Sequence, residues 1–285
     1  MTIAKKVANF VRGNFKRLRG DFQKRQYLSK YRGSESDIAR SEWQESLTSP
    51  TQFYLRCLRF FENNPDFPEE LRSHRAYFLQ SQRGFGEDAF HVMWFLLFNE
   101  FKPSNVLEIG VYRGQVLSLA ALLQRLMGQR GEIVGVSPFE SIGDSVSKYP
   151  KRMDYLADTQ TNFAHFGLPE PTLLKSFSTD EAAIELITSR RWDCIYVDGN
   201  HDYEVVKADW NVCAASIKLN GLIVLDDAGL STIYQPPLFA TGGHPGPSRV
   251  AAEIDPACFK EILQVGHNRV FQKNDLNEGR HPNDR

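Results

Sequence analysis

Residues 192–204 read WDCIYVDGNHDYE, and residues 221–229 read GLIVLDDAG. In each stretch a continuously apolar run, CIYV or LIVL, is followed by aspartate. Such runs are typical of central parallel strands that are covered on both faces. A third stretch, NVLEIGVYRG at residues 105–114, gives a strand signal that ends in a glycine-rich turn. Each strand signal is followed by a helical pattern, and this alternation decides the fold class.

The alternation extends from residue 85 almost to the C-terminus. It predicts an α/β fold with a doubly wound, mostly parallel sheet. Near the end, FKEILQVG (259–266) and NRVFQK (268–273) flank a Gly-His-Asn turn and predict a hairpin. Ligands of such sheets bind at the carboxyl ends of the strands, so the residues that follow each strand are the candidates for function.

The chain has 285 residues, of which 41% are hydrophobic and 24% charged, as expected of a globular protein. No apolar stretch approaches the roughly 20 residues of a membrane span, and the N-terminus lacks the apolar core of a secretory signal. The cysteines lack CxxC or zinc-like spacing, which favours reduced thiols in a cytoplasmic protein. They are Cys57, Cys194, Cys213 and Cys258.

Four regions are expected along the chain. Residues 1–33 form a basic arm, and residues 34–84 form a helical and linker extension with a helix from Thr51 to Glu62. The α/β domain covers residues 85–273, and a polar tail covers 274–285.

The formal net charge of −1 conceals a strong asymmetry. Residues 1–33 carry +9, so the rest of the chain carries −10. The apolar residues of the arm recur at helical spacing, and its other faces are basic, which predicts an amphipathic helix. That helix would lie on an anionic membrane surface, or it would pack on its own body or on a partner. Nucleic acid is not favoured, because no recognition motif accompanies the charge.

The turn after the first strand places Glu108, Gly110 and Gly114 near a helix N-terminus. Glycines let the backbone turn tightly and approach a ligand. The dinucleotide fingerprint would need glycine at positions 108 and 113, where the chain has Glu108 and Arg113, so an NAD site fits poorly. An acidic residue at position 108 suits a ligand with a cationic amine, whereas the alternative is a turn whose glycines serve packing only.

Carboxylates close two buried strands at Asp198, Asp226 and Asp227. Adjacent buried carboxylates repel each other and lose hydration, and a hard cation such as Mg²⁺ would resolve both costs. The alternative is that one aspartate caps a helix and another pairs with a base. His201 follows in the same loop as Asp198, where a neutral imidazole would accept a proton.

A glycine- and proline-rich loop spans residues 232–254 and is long enough to close over a site. His244 and Arg249 would contact a substrate there, although a plain connector is an equal alternative. A helix is expected to begin near Ser248, which would act as its N-cap. His91 is expected to be a packing residue, and His267 is assigned to the hairpin turn.

Together, VLEIGVYRG, WDCIYVDGNHDYE and GLIVLDDAG resemble the class I S-adenosylmethionine-dependent methyltransferases. They are most similar to the metal-dependent sugar and macrolide O-methyltransferase branch, which includes macrocin O-methyltransferase. The resemblance covers residues 85–273 and is weak for the first 80 residues. It implies a seven-stranded Rossmann-like sheet of order 3-2-1-4-5-7-6 with strand seven antiparallel, in agreement with the hairpin.

The resemblance assigns roles to individual residues of this chain. It implies that the turn of Glu108, Gly110 and Gly114 holds the methionine part of S-adenosylmethionine. It implies His201 as general base, and it gives Asp198 catalytic and cofactor contacts besides its metal role. The implied Mg²⁺ ligands are Asp198, Asp226 and Asp227.

The adenosine end of the cofactor is less well matched. Relatives usually end strand two with an acid that binds the ribose hydroxyls, whereas this chain has Ser137. Ser137 can still hydrogen-bond a hydroxyl, and Glu140 is near enough in sequence to substitute for the acid. The resemblance also implies that Ser176 and Phe177 lie near the adenine.

The implied reaction is direct methyl transfer to a hydroxyl oxygen, with Mg²⁺ lowering the pKa of that hydroxyl and His201 removing its proton. The pairing of metal and histidine favours a sugar or glycan-like acceptor over a catechol. The alternative is a non-catalytic S-adenosylmethionine-fold binding or scaffold protein, docked on a membrane by the arm. A cytoplasmic location is expected, with the arm at the inner face of a membrane, and a homo-oligomer is left open.

Overall fold

The structure of the chain is a computed structural model that describes residues 22–29, 37–80, 83–142, 144, 146 and 153–275. The amphipathic helix predicted for the arm falls on residues 3–20, outside the described residues. Most of the predicted polar tail, residues 276–285, also lies outside them.

One seven-stranded sheet forms the centre of the fold, with strand order β3-β2-β1-β4-β5-β7-β6. The pairs among the first five strands are parallel, whereas β7 runs antiparallel to both β5 and β6. The predicted fold class, strand order and terminal hairpin are therefore confirmed. The strands are β1 Asn105–Ile109, β2 Glu132–Ser137, β3 Thr172–Lys175, β4 Trp192–Val197, β5 Ile217–Leu225, β6 Phe259–Val265 and β7 Asn268–Lys273.

Helices cover both faces of the sheet and precede it. Residues 22–29 are helical (α1), and the helix expected from Thr51 to Glu62 is observed as Pro50–Asn63. Short 3₁₀ turns occupy Arg40–Glu42 and Gly229–Ser231. The further helices are α2 Glu45–Thr48, α3 Pro50–Asn63, α4 Glu69–Gln80, α5 Asp88–Phe101, α6 Gln115–Leu126, α7 Tyr155–His165, α8 Glu181–Thr188, α9 Tyr203–Ser216 and α10 Pro245–Ala252.

The helix start expected near Ser248 is wrong, because α10 begins at Pro245. Proline is favourable in the first turn, where its missing N–H needs no partner. Ser248 lies inside the helix, and its buried hydroxyl accepts a hydrogen bond from the Leu230 N–H (3.0 Å).

Alternate residues of each central strand enter two separate hydrophobic clusters. On one face, Leu107 and Ile195 pack with residues of α8, α9 and α10. On the other face, Val106 and Tyr196 pack with α3, α5 and α6, so the N-terminal helices share a core with the sheet. Trp94 of α5, for example, lies edge-on to Tyr196 at a ring distance of 5.3 Å.

Helix α1 packs on the body of the protein. Leu28 is only 2% exposed, and the Lys24 ammonium lies 2.5 Å from Asp88 and 3.1 Å from Glu62. Residues 22–29 of the basic arm therefore pack on the protein, whereas the helix for which the sequence left a membrane or a packed position open lies outside the described residues. None of the described helices is both long and apolar enough to cross a membrane.

Candidate active site

The carboxyl ends of the central strands open into two neighbouring cavities. The larger has a volume of about 380 Å³ and the smaller about 180 Å³. Gly110, Tyr112 and Asp198 line both, so the two spaces meet at the ends of β1 and β4. This is the edge of a parallel sheet where ligands are expected.

The β1–α6 turn brings the backbone close to this junction. Gly110 has φ of +96° and Gly114 has φ of +72°, a region that side chains disfavour. A Cβ atom on Gly110 would overlap the carbonyl oxygen of Asp198, and one on Gly114 would press on Thr159. The glycines of the predicted motif are therefore required by conformation and by close approach.

Glu108 lies at the end of β1 and lines the larger cavity. It is 4% exposed, and its Oε2 has no hydrogen-bond partner among the described residues. Burial raises the pKa of Glu108 to about 8, helped by the negative charge of Asp226 and opposed by a backbone hydrogen bond from Leu117. A cation or a hydrogen-bond donor in the cavity would satisfy this carboxylate.

Asp198 and Asp226 follow adjacent strands and share a side-chain hydrogen bond. Burial raises the pKa of both carboxyl groups, and the charge of Asp227 adds to this effect. Within the described part of the chain, Asp226 Oδ1 has no hydrogen-bond partner. The sequence predicted that the three aspartates lie close together. In the structure Asp198 is hydrogen-bonded to Asp226, and Asp227 is near enough for its charge to affect both.

Asp227 faces a group of histidines. Its Oδ2 lies 2.9 Å from His201 Nε2 and 3.6 Å from His244 Nε2, and its Oδ1 lies 3.6 Å from His267 Nε2. Burial opposes ionisation of this carboxyl, but the hydrogen bond from His201 and the charges of the histidines lower its pKa. Asp227 also has φ of +52°, a strained conformation of the kind that clusters at functional sites.

His201 is held between two carboxylates. Its Nδ1 donates to Asp144 Oδ2, and its backbone N–H donates to the same oxygen at 2.9 Å. Burial lowers the pKa of the ring, but the hydrogen bonds and charges of Asp227 and Asp144 outweigh burial and raise the pKa to about 9. With both carboxylates facing it, His201 holds its proton at neutral pH, whereas the sequence suggested a neutral ring.

Among the described residues, two groups of side chains are arranged closely enough to hold a metal ion. In each group the potential ligand atoms lie within 4.8 Å of one another. One group contains His201, Asp227 and His244, and the other contains Asp226, Asp227 and His267. The predicted ligand Asp198 belongs to neither group and contacts the second one through Asp226.

His267 is a site residue that the sequence reasoning assigned only to the hairpin turn. Its Nε2 lies 3.4 Å from Asp226 Oδ1, and its backbone carbonyl accepts the Ala228 N–H at 2.8 Å. Because β7 runs antiparallel to β5, the start of β7 lies beside the end of β5. The strand order therefore carried a usable signal for this histidine.

The smaller cavity contains three of the four residues expected at the adenosine end. Ser137, Glu140 and Phe177 line it, whereas Ser176 does not. The Ser137 hydroxyl donates to the Val111 carbonyl at 2.9 Å, and Glu140 pairs with Lys175 at 2.7 Å. Phe177 is 46% exposed and presents an aromatic surface.

The two candidates from the long loop have different positions. His244 lines the larger cavity. Arg249 does not line it, and instead stacks over Tyr203 at 3.8 Å and pairs with Glu253 at 3.0 Å. His91 is buried in α5 as expected for a packing residue, and it also lines the inner wall of the larger cavity.

Comparison with known proteins agrees with this arrangement. Residues 107–228 match the Methyltransf_24 family, described as a methyltransferase domain. The chain has the class I methyltransferase fold. The matched segment runs from β1 to the residue that follows Asp227, so it contains the glycine turn and all three strand-end aspartates.

Several solved structures share this methyltransferase fold at low sequence identity. The Podospora anserina methyltransferase PaMTH1, solved with S-adenosylhomocysteine, has 19% identity and a TM-score of 0.52, covering 77% of this chain and 94% of that one. A putative caffeoyl-CoA O-methyltransferase from Staphylococcus aureus has 12% identity and a TM-score of 0.52, covering 78% and 98%. A Bacillus cereus O-methyltransferase, also solved with S-adenosylhomocysteine, has 14% identity and a TM-score of 0.51, covering 81% and 99%. No curated protein sequence matches this chain.

Proposed function

We propose that the protein is an S-adenosylmethionine- and Mg²⁺-dependent O-methyltransferase of the macrocin type, acting on a hydroxyl of a sugar or glycan-like acceptor. One observation carries the proposal: Asp198 lines both cavities and is hydrogen-bonded to Asp226, which lines the larger cavity together with His201. This arrangement provides space for a donor and an acceptor on either side of acid–base and metal-ligating groups.

The residues at the junction suit the cofactor. The smaller cavity offers the aromatic surface of Phe177 and polar groups for an adenosine. Glu108 offers a buried, unpaired carboxylate oxygen near the turn, where the cationic amine of the methionine part would relieve its burial cost. S-adenosylmethionine supplies the methyl group as a sulfonium, and the chain's residues orient it.

The donor set also fits a hard cation. Asp226 Oδ1 is buried and accepts no hydrogen bond from the described residues, although His267 Nε2 lies 3.4 Å from it. Burial and the charge of Asp227 raise the pKa of Asp226 in spite of His267, and a bound cation would relieve both costs. Asp226 and Asp227, with His267, would hold the ion. Bound Mg²⁺ supplies a fixed positive charge that lowers the pKa of an acceptor hydroxyl.

His201 is the group that would take the acceptor proton. Asp144 orients the ring through Nδ1, which leaves Nε2 towards the aspartate cluster. Nε2 donates to Asp227 in this arrangement. If Asp227 serves as a metal ligand instead, the pKa of His201 falls because one of its two carboxylate partners is withdrawn, and Nε2 can then accept a proton.

Calorimetry with S-adenosylmethionine, in Mg²⁺ and in EDTA, tests the function. We expect cofactor binding in both solutions and a separate Mg²⁺ binding event that Asp226→Asn removes. Absence of cofactor binding at millimolar concentration would refute the methyltransferase proposal. Cofactor binding without a detectable Mg²⁺ binding event would refute the Mg²⁺ dependence and leave the methyltransferase proposal standing.

The alternative of a non-catalytic scaffold is less well supported. Three aspartates and a histidine brought together in a partly buried site are costly for a fold that gains only structure from them. A ligand that compensates this charge explains their retention better than packing does.

We also propose that residues 1–21 bring the enzyme to an anionic membrane that carries its acceptor. Six of the arm's ten basic residues precede α1, and each basic residue near such a surface contributes about 1 kcal/mol. Sedimentation with anionic liposomes should therefore pellet the full chain but not a chain that begins at Phe22. Equal pelleting of both would refute the membrane role, and neutral liposomes serve as control.

A further inference from the structure

The loop between Asp227 and His244 contains no charged residue. Residues 228–243 read AGLSTIYQPPLFATGG, whereas 24% of the whole chain is charged. The loop leaves the end of β5 directly after Asp227 and returns at His244, and both of these residues line the larger cavity. An isolated bridge between Ala228 and Gly243 closes its base. Both ends of this uncharged loop therefore lie at the candidate active site.

Three large apolar side chains of the loop face the solvent. Leu238 is 84% exposed, Ile233 66% and Leu230 53%, and Leu238 is the most exposed large apolar side chain among the described residues. A Cβ atom on Gly242 would lie 2.9 Å from Leu230 and 3.8 Å from Pro236, so the beginning and the middle of the loop share one surface. Exposed apolar side chains that cluster without charge are typical of a surface that meets a membrane or a partner.

The inward side of the loop is bound to α3. Tyr234 is buried and lies edge-on to Tyr54 at a ring distance of 5.8 Å. The Thr51 hydroxyl accepts the Gln235 N–H at 2.9 Å and lies 3.1 Å from the Gln235 carbonyl oxygen, to which it can donate. Because these neighbours are held by α3, the exposed side chains are presented by a fixed loop.

The same loop packs on the helix that follows the first part of the basic arm. Phe239 lies edge-on to Tyr27 of α1 at a ring distance of 6.0 Å. Helix α1 begins at Phe22, five residues before Tyr27, which corresponds to about 7.5 Å along a helix axis. Residues 1–21 carry six basic residues and one acid. The strongly basic segment therefore joins the described chain close to the exposed apolar side chains.

An apolar surface beside a basic segment matches the two parts of an anionic lipid surface. The apolar side chains suit the boundary of the acyl chains, and the basic residues suit the anionic headgroups. A second copy of this chain fits less well. If two copies met through the same surface, their basic arms would come together, which like charges oppose.

We propose that residues 228–243 form a membrane-docking loop, whose Leu230, Ile233 and Leu238 enter the acyl boundary of an anionic membrane. The inference rests on the membrane role proposed for residues 1–21 and is independent of the methyl-transfer chemistry. The basic residues supply attraction that salt screens, whereas the loop supplies apolar burial that salt does not screen. Because both ends of the loop lie at the larger cavity, docking holds the candidate active site at the lipid surface.

Cosedimentation of the full-length protein with vesicles of phosphatidylcholine and phosphatidylglycerol tests the loop. The variants are Leu238→Ser and the double variant Ile233→Ser, Leu238→Ser. Leu219→Ser is the matched control, because Leu219 is also exposed but lies near the start of β5, at the opposite end of that strand from Asp226. Calorimetry with S-adenosylhomocysteine on the same proteins reports separately on the cofactor site.

We expect the double variant to lower the vesicle partition coefficient about tenfold, and Leu238→Ser to lower it by a smaller factor. The ratio of parent to variant should persist when salt is raised to about 0.5 M, although binding of both proteins weakens. Leu219→Ser should bind like the parent, and all variants should keep the melting temperature and S-adenosylhomocysteine affinity.

Equal partitioning of the parent and the double variant would overturn the docking loop and leave the role of the arm standing. Absence of vesicle binding by the parent would refute the loop and the arm together. Either result leaves the methyltransferase proposal untouched, because only loss of S-adenosylhomocysteine binding by the parent refutes that proposal.

Leu238→Trp identifies what covers the loop. The four native tryptophans are buried, so they give little background in a quenching experiment. We expect the introduced indole to emit as an exposed ring in buffer, and to shift to the blue and be quenched on vesicles with brominated acyl chains. Leu219→Trp should remain unquenched. Blue-shifted emission already in buffer would show that residues 1–21 or a second copy cover the loop, and would overturn the proposal.

Discussion

The buried carboxyl groups of Asp198 and Asp226 share a hydrogen bond, and burial raises the pKa of both. Asp198→Asn removes one acid at nearly constant volume and gives Asp226 an amide donor. In EDTA we therefore expect this variant to unfold at a higher temperature than the parent, with a gain of about 1 kcal/mol in unfolding free energy. Thermal unfolding followed by circular dichroism measures the change.

Asp193 supplies the matched control for that variant. It accepts the backbone N–H groups of Ser104 (3.1 Å) and Asn105 (2.8 Å) and pairs with Lys218. Asp193→Asn should lower the melting temperature, because it removes a carboxylate with satisfied partners. Equal destabilisation by Asp193→Asn and Asp198→Asn would show that the Asp198 carboxyl is structural.

His201 should affect turnover without affecting cofactor affinity. It contacts the aspartate cluster but does not line the smaller cavity. His201→Ala is expected to keep S-adenosylhomocysteine binding within about twofold and to reduce methyl transfer by about 10²–10⁴-fold, the usual contribution of general acid–base catalysis. Unchanged methyl transfer, measured as S-adenosylhomocysteine release, would remove His201 as the base.

The site residues that follow strands were predictable, and the others were not. The three aspartates and His201 lie directly after β4 and β5, so the fold class alone brings them together. The place of His267 in the site could be predicted only from the pairing of β7 with β5. The place of His244 could be predicted only from the path of the long loop. Asp144 belongs to an irregular segment after β2, where no periodic pattern indicates which residue turns inward.

A pair of buried histidines links three helices behind the larger cavity. His74 of α4 lies 3.1 Å from His91 of α5, and its other ring nitrogen lies 2.9 Å from the Ser118 hydroxyl of α6. His91 Nδ1 lies 3.3 Å from the Glu87 carbonyl oxygen. The pair thus connects the wall that carries Glu87 to the helix that follows the glycine turn.

This pair predicts a loss of stability in acid. Burial lowers the pKa of His91 to about 3 and that of His74 well below its usual value of 6.5. Because unfolding restores the higher pKa, their stabilising contribution is complete above pH 6.5 and falls as the pH drops towards the folded values. Between pH 6.5 and pH 5 the loss should be about 2 kcal/mol for each histidine.

Urea unfolding midpoints across that pH range measure the effect. The double variant His74→Gln, His91→Gln should show a shallower pH dependence than the parent, whatever its stability at pH 7. His165→Gln, which changes an exposed histidine of α7, is the control. If the urea midpoint of the double variant falls as steeply with pH as that of the parent, His74 and His91 are not the cause of the loss of stability in acid.

At the scale of elements, the pattern of the sequence predicted the seven strands and most helices, because burial of β1, β4 and β5 produces long apolar runs. Helices α1, α2, α4 and α7 were not predicted. Helix α4 contains Arg75 and His74 on its buried side, where a simple apolar stripe was expected, and α7 buries the polar Thr159 and Asn162. Hydrogen bonds, which periodicity does not report, compensate this polarity.

At the scale of the whole molecule, the near-zero net charge separates into a basic arm and an acidic body. The described part of the arm is tied to that body by Lys24 and Leu28. A chain that begins at Phe22 should therefore keep the melting temperature of the full protein. A chain that begins at Ser34 should melt several degrees lower, because it loses these contacts; equal melting of the two shortened chains would contradict the packing of α1.

The cofactor and metal sites together are best tested by a crystal structure with S-adenosylhomocysteine and Mn²⁺, which replaces Mg²⁺ and gives an anomalous signal. We expect the adenosine in the smaller cavity and an anomalous peak in contact with Asp226 and Asp227. S-adenosylhomocysteine bound elsewhere, or well-ordered cofactor with no peak at these aspartates, would contradict this expectation.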